Sequence, residues 1–144
     1  YIMLKKTYTY TDWNGKERTE DFYFHLSKSK LSEMDLKKGG YAEWVEEIVN
    51  AKDYETLVET FKKTILASYG EIAPDGRRFI QNNELSEAFS QTPAYDMLFM
   101  ELISSADAAA KFFNSIVPED VKKAAEAEKA KKEQALQGAE EAIQ

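Results

Sequence analysis

The sequence predicts an α+β domain, mostly α, in which an N-terminal β-hairpin packs on a cluster of about five helices, with a projecting C-terminal helical tail. Three features indicate this fold class. Threonine and tyrosine alternate with period two near the start of the chain, which suits a strand. Asn14-Gly15 follows as a strong turn signal. Most of the later chain, up to Val117, repeats its apolar residues at helical spacing.

Composition excludes several classes of protein. The chain has 144 residues, enough for one domain with a modest core. Its net charge of -7 argues against duplex nucleic acid as a partner, because phosphate binding needs a concentrated basic face. The sequence contains no cysteine, which excludes disulfides and thiolate metal sites and fits a reducing cytosol. No apolar run approaches the ~20 residues that a membrane span needs.

The register of the hairpin follows from its apolar residues. A three-residue loop, Trp13-Asn14-Gly15 with Gly15 left-handed, collects the large apolar side chains on one face, since a slip of one residue swaps the faces. That face would carry Leu4, Tyr8, Tyr10, Phe22, Phe24 and Leu26. A two-residue turn would instead place Tyr8 on the face of Asp21.

Four helical segments are expected before residue 92. One short helix or turn lies within 27–38, and an amphipathic helix covers 41–51. Asp53 caps the next helix, and Gly70 ends it as a C-cap. A tight turn at 73–76 then leads to a short helix that Asn83 caps.

The densest run of large apolar side chains extends from Thr92 to Val117. Thr92 is an N-cap with Pro93 at the first helical position, and a break is expected near Ser104-Ser105. Met97 and Met100 add apolar surface beside the main stripe, so one face does not account for all of it. Two interpretations stay open: a central helix buried on several sides, or a surface that binds a partner.

Five residues of this run are candidates for contact with a partner or with another copy of the chain. They are Met97, Phe99, Met100, Phe112 and Phe113. Tyr95, Leu98 and Leu102 are expected to hold the domain together.

The composition changes at Pro118. Residues 1–117 are therefore predicted to form the globular domain, and residues 118–144 an alanine-, glutamate- and lysine-rich tail. Local propensity favours a helix there, but the tail lacks an apolar stripe to bury, so an exposed or partly disordered helix is expected.

Catalytic signatures are missing from the sequence. His25 is the only histidine, which rules out a two-histidine metal site within one chain. A general base also needs a placed partner, and none is indicated for His25. We therefore predict no enzyme activity and no catalytic, cofactor-binding or metal-binding residue.

Three segments carry a resemblance to a known family. They are SYGE at 68–71, DGRRFI at 75–80 and SQTPAYDMLFMEL at 90–102. With the order of the remaining segments, from about Leu4 to Pro118, they resemble the tail assembly chaperones of long-tailed, siphovirus-type phages and prophages of Gram-positive bacteria.

The resemblance implies a protein that binds the hydrophobic, helical tape measure protein, keeps it soluble and promotes tail tube assembly. It implies action in the host cell cytoplasm and absence from the mature virion. Members are often made in two lengths by a ribosomal frameshift, and the longer form is thought to recruit tail tube protein. No cofactor, nucleic acid or membrane is expected. Self-association would multiply weak contacts along a rod-like client, so a homo-oligomer is a further hypothesis.

Two alternative functions stay open at this point. One is a structural tail or virion subunit, which would be found in purified particles. The other is a bacterial protein–protein adaptor whose partner the sequence does not identify.

Overall fold

A four-stranded antiparallel sheet and five helices account for most of the described part of the chain, which in this computed structural model comprises residues 3–33, 53–119, 134–136 and 138; the residues at 134–136 and 138 are also helical. The strands, in spatial order, are β1 (Leu4–Thr11), β2 (Glu17–Phe24), β3 (Tyr69–Ile72) and β4 (Phe79–Ile80). The helices are α1 (Lys28–Glu33), α2 (Tyr54–Ser68), α3 (Asn83–Ser90), α4 (Pro93–Ser104) and α5 (Ala106–Ile116). The predicted α+β class, with its N-terminal hairpin, is confirmed. The helix predicted over 41–51 and most of the tail lie outside the described residues.

The first hairpin has the predicted loop and register. Gly15 has a φ of 83°, and the Asp12 N–H donates to the Lys16 carbonyl at 2.8 Å, which closes the loop at 13–15. Thr7, rather than Tyr8, lies opposite Asp21. The six apolar residues predicted to share one face all lie in the core or pack against it.

The second hairpin adds two strands to the sheet and corrects one prediction. Helix α2 ends at Ser68, and the chain runs directly into β3, where Gly70 lies opposite Tyr23 of β2. Gly70 is therefore a strand residue and not a helix C-cap. A Cβ placed on Gly70 would lie 2.7 Å from the Ile80 carbonyl oxygen, so glycine is needed here because β4 approaches closely.

The side chain of Gln81 holds this region together. Its amide nitrogen lies 3.0 Å from the His25 carbonyl, 3.2 Å from the Ala67 carbonyl and 3.0 Å from the Ser68 carbonyl. One side chain thus joins the end of β2, the end of α2 and the residue after β4. The tight turn between β3 and β4 is also confirmed, with Gly76 at a φ of 75°.

The N-caps follow the sequence with one correction. Asp53 accepts a hydrogen bond from the Glu55 N–H at 3.0 Å, as predicted. Asn82, not Asn83, caps α3 by accepting from the Leu85 N–H at 2.8 Å. Either asparagine has a suitable side chain, but a cap needs an extended backbone, and Asn82 has it whereas Asn83 is already helical.

Phe89 of α3 lies at the centre of the core and is 2% exposed. Its ring stacks on Tyr69 with a centroid distance of 4.3 Å. The rings of Phe22, Phe24 and Tyr95 lie 5.2, 5.7 and 5.7 Å away. Strands β2 and β3 and helix α4 therefore meet at one aromatic residue, and the helices cover this face of the sheet.

A single backbone hydrogen bond joins the end of α5 to the end of β2. The Leu26 N–H donates to the Ile116 carbonyl at 2.7 Å, and both side chains are fully buried. The last turn of α5 thereby gains a partner for one of its free carbonyls.

Candidate partner-binding surface

Helix α4 begins and ends as the sequence predicts. Thr92 accepts a hydrogen bond from the Tyr95 N–H at 3.3 Å, and Pro93 occupies the first helical position. Ser105 ends α4 and also caps α5, since its hydroxyl accepts from the Ala108 N–H at 3.2 Å. The long apolar run is therefore two helices with one shared capping residue.

One face of α4 is buried in the core. Its four buried residues are Ala94, Tyr95, Leu98 and Leu102. The spacings between successive buried residues are one, three and four, which puts all of them on one side of a helix with 3.6 residues per turn. The burial of Tyr95, Leu98 and Leu102 agrees with their predicted role as residues that hold the domain together.

The side of α4 away from the core is open and carries two methionines next to the exposed Asp96. Met97 is 42% exposed and Met100 is 56% exposed, whereas Phe99, on another part of the helix surface, is half-buried and packs against the core. The Phe99 ring lies 5.9 Å from the ring of Tyr95, so the core supports it from below. We call the exposed surface that Met97 and Met100 form the α4 outer face; Phe99 lies on the other flank of the helix and is not part of it.

The aromatic pair of α5 is placed differently. Phe112 is 4% exposed and lies 5.4 Å from the ring of Phe24. Phe113 is 3% exposed and lies 5.4 Å from the ring of Phe61. Both rings are core residues in the folded domain, whereas their sequence pattern made them candidates for contact with a partner.

A polar cluster fixes the rotation of α4 against the sheet. The Glu101 carboxylate accepts hydrogen bonds from Lys6 Nζ and from the Tyr8 hydroxyl, each at 2.9 Å. Burial raises the pKa of Tyr8, and the bond to Glu101 raises it further. Burial also acts to raise the pKa of Glu101, but the bonds from Lys6 and Tyr8 outweigh it and leave that pKa below its usual value. With Glu101 turned to β1 and Leu98 and Leu102 buried in the core, Met100 is held toward the outside.

A groove of about 300 Å³ lies next to this cluster, between β1, the end of α4 and α5. Its charged lining consists of Lys6, Glu101, Asp107 and Lys111, two of each sign. Such a mixed lining has no net preference for an anion or a cation.

Trp13, in the loop of the first hairpin, is an exposed aromatic residue that was not among the predicted contact residues. Its side chain is 80% exposed, and its indole N–H donates to the Gln91 carbonyl at 3.0 Å. Gln91 lies two residues before the start of α4, so Trp13 adds apolar area near that end of the helix. The exposure of Trp13 could have been predicted from the sequence. A large side chain in a three-residue hairpin loop does not belong to either face of the strands and is therefore not buried by the sheet.

His25 follows directly after β2 and is half-buried. Its Nδ1 atom is buried and has no hydrogen-bond partner among the residues described. Burial lowers the pKa of His25 below 6.5.

The described ranges offer neither a metal cluster nor a membrane-spanning helix. No group of three or more histidine, cysteine, aspartate or glutamate side chains there could hold a metal ion. No helix in those ranges combines the length and the apolar character of a membrane-crossing segment.

Comparison with known proteins identifies the family. No curated protein and no solved structure matches the chain. A family model described as phage tail assembly chaperone matches residues 3–144, nearly the whole sequence. The chain therefore belongs to the phage tail assembly chaperone family.

Proposed function

We propose that this chaperone binds the tape measure protein of its phage through the α4 outer face, keeps that protein soluble and promotes assembly of the tail tube around it. The observation that carries the proposal is the exposure of Met97 and Met100 on a helix whose other side is buried in the core. The buried side fixes the position of the helix in the domain, and the two methionines lie outside the core.

The chemistry of this face suits an apolar helical client. Met97 and Met100 are three residues apart, so they lie side by side on the helix surface. Methionine side chains are flexible and polarisable and adapt to differently shaped partners. Contiguous exposed apolar side chains on a soluble domain mark interaction sites. The net charge of -7 would help to keep a complex with a hydrophobic client in solution.

The proposal also covers where the chaperone acts and which other tail protein it recruits. The chaperone acts in the host cytoplasm and leaves before the virion matures. A longer form, made by a frameshift, recruits the tail tube protein. The function involves no catalytic step and no cofactor, because binding an apolar helix requires a surface and no chemistry.

Co-expression with the tape measure protein of the same genome tests the proposal. The wild-type chain should raise the soluble fraction of that protein and co-purify with it. The double variant Met97→Gln/Met100→Gln should lose both effects. The matched control is Tyr54→Gln/Ile72→Gln, which removes apolar side chains that are 66% and 38% exposed elsewhere on the domain. This control should behave like wild type.

Two outcomes would count against the proposal. If the tape measure protein is equally soluble with and without the chain, the chaperone does not act on it. If the control variant loses binding as fully as the methionine variant, the interaction is a non-specific hydrophobic one and does not depend on the α4 outer face. Mass spectrometry of purified particles addresses the structural-subunit alternative, which requires the chain to be present in them.

A further inference from the structure

Strand β1 forms an open edge of the sheet within the described part of the chain. The spatial order β1-β2-β3-β4 leaves one side of β1 without a described neighbouring strand. The Asp12 N–H bonds to Lys16 across the hairpin, and backbone groups alternate in direction along an antiparallel strand. The N–H and C=O groups of Thr7, Thr9 and Thr11 therefore point outward. Among the described residues none of these three forms a backbone hydrogen bond to another element.

The outward segment reads the same in both directions. Residues 7–11 are TYTYT, five uncharged residues that are symmetric about Thr9. If an identical strand lies antiparallel to it and is centred on Thr9, each threonine faces a threonine and each tyrosine faces a tyrosine. Thr9 would then exchange two hydrogen bonds with its own counterpart, and Thr7 would do so with Thr11. The outward direction of these backbone groups permits this pairing.

The charges at the two ends of the segment favour the same register. Lys5 and Lys6 precede the symmetric segment, and Asp12 follows it. Centring on Thr9 puts Lys6 opposite Asp12 of the second copy. Opposite charges that face each other across a strand pair are favourable. A register shifted by one step in either direction loses the match between Lys6 and Asp12.

The lysines also restrict which strand can pair with this edge. Lysine on an edge strand discourages indiscriminate pairing with other chains. A partner strand that carries an acidic residue opposite Lys6 can still pair with β1. An antiparallel second copy has such a residue, Asp12, at that position. Within a single chain, Lys6 lies 2.9 Å from Glu101 and Asp12 lies 2.6 Å from Arg18. The contacts between copies would add to these pairs without breaking them.

We propose that a second copy of this chain binds along β1, with a twofold axis through Thr9, so that the two four-stranded sheets form one continuous antiparallel sheet. The interface is isologous, which is the commonest arrangement in soluble homodimers. The proposal is independent of tape measure binding, because it uses the edge of the sheet and not the α4 outer face.

Sedimentation equilibrium of the full chain with two matched variants tests it. Thr9 and Thr19 are exposed, lie opposite each other on the same sheet face, and their hydroxyls are 2.9 Å apart. Thr9→Lys and Thr19→Lys therefore remove the same contact and add the same charge. Thr9→Lys also places two lysines opposite each other on the twofold axis and should weaken the dimer roughly fivefold or more. Thr19→Lys should dimerise as wild type does, and circular dichroism should show both variants folded.

Cross-linking provides a second test that retains a neutral side chain at the interface. The sequence has no cysteine, so a single introduced cysteine has only its counterpart as a partner. The two Thr9 Cα atoms would lie about 5.5 Å apart, within reach of a disulfide. The two Thr7 Cα atoms would be offset by four residues along the strand, or roughly 13 Å. Oxidation should therefore link Thr9→Cys into a covalent dimer and leave Thr7→Cys unlinked.

Three results would overturn the proposal. They are a wild-type chain that stays monomeric at every concentration, a dimer that Thr9→Lys leaves intact, and equal cross-linking of Thr9→Cys and Thr7→Cys. Each of these results would mean that the lysines of β1 serve only to prevent pairing of this edge with other strands.

Discussion

Helices α4 and α5 follow each other in the chain and share Ser105 as a cap, yet they use their apolar residues in different ways. Helix α5 is covered on two sides, because Phe112 packs on Phe24 of the sheet and Phe113 packs on Phe61 of α2. Helix α4 is covered on one side and leaves Met97 and Met100 exposed. The comparison shows that the number of apolar residues in a helix does not determine how many are buried. The position of the helix among its neighbours does.

Truncation of one large side chain on each helix gives the largest expected difference. Phe112→Ala should lower the free energy of unfolding by about 3–5 kcal/mol, because it opens a cavity in a tightly packed core. Met100→Ala should change it by no more than about 0.5 kcal/mol, as expected for a surface residue. Urea unfolding followed by circular dichroism measures both. Similar losses for the two variants would mean that α4 is covered as completely as α5.

The separation of the two helices depends on Ser105. Ser105→Ala should cost about 1 kcal/mol of folding stability, since the first turn of α5 loses its N-cap. Ser104→Ala, one residue earlier and outside the cap, is the control and should be close to neutral. Thermal unfolding of the two variants measures the difference. An equal effect at both positions would show that the cap does not define the boundary.

The rotation of α4 is tested at Glu101. Glu101→Gln should reduce stability at neutral pH by about 1 kcal/mol or less, because its pair with Lys6 is partly solvent-exposed. The pKa of Glu101 is held below its usual value, so the unfolded chain takes up this proton first as the pH falls. The stabilisation is therefore complete above about pH 4.5 and is lost as the pH falls through the folded pKa. Urea midpoints of wild type and variant should converge in acid, and a constant gap would contradict the assignment.

The smallest expected change in stability concerns His25, which precedes Leu26, the residue that is hydrogen-bonded to the end of α5. Burial lowers the pKa of His25, so the unfolded chain binds the proton more readily than the folded one. Stability should fall as the pH drops below about 6.5, until the folded protein is protonated as well. His25→Gln removes the titrating group and should flatten this part of the pH profile of the urea midpoint. An unchanged slope would place its origin elsewhere.

Local signals predicted much of this architecture. The caps at Asp53 and Thr92 and the break at Ser105 depend on neighbouring residues alone, and all three agree with the structure. The hairpin register was also predictable, because one of two alternatives gathers the apolar residues on one face. In these cases the residues in question interact within a short stretch of chain.

Long-range packing was not predictable in the same way. Gly70 resembles a helix C-cap in the sequence, and it is required instead because the backbone at Ile80 approaches it. Helical periodicity places Phe112 and Phe113 on α5 but does not reveal that the sheet and α2 cover them from two sides. For Met97 and Met100 the same periodicity left burial and exposure open, and only the position of α4 in the fold decides between them.

The hydrogen bond between Leu26 and Ile116 fixes the place on the domain from which the residues after Val117 continue. It anchors the end of α5 at the open end of the first hairpin, whereas Trp13 and the start of α4 lie at the turn. Strand β2 has eight residues between these two ends, a distance of roughly 26 Å. Whatever follows Val117 is thus tethered far from the turn. A segment attached there therefore starts about one strand length away from Trp13 and from the first turn of α4.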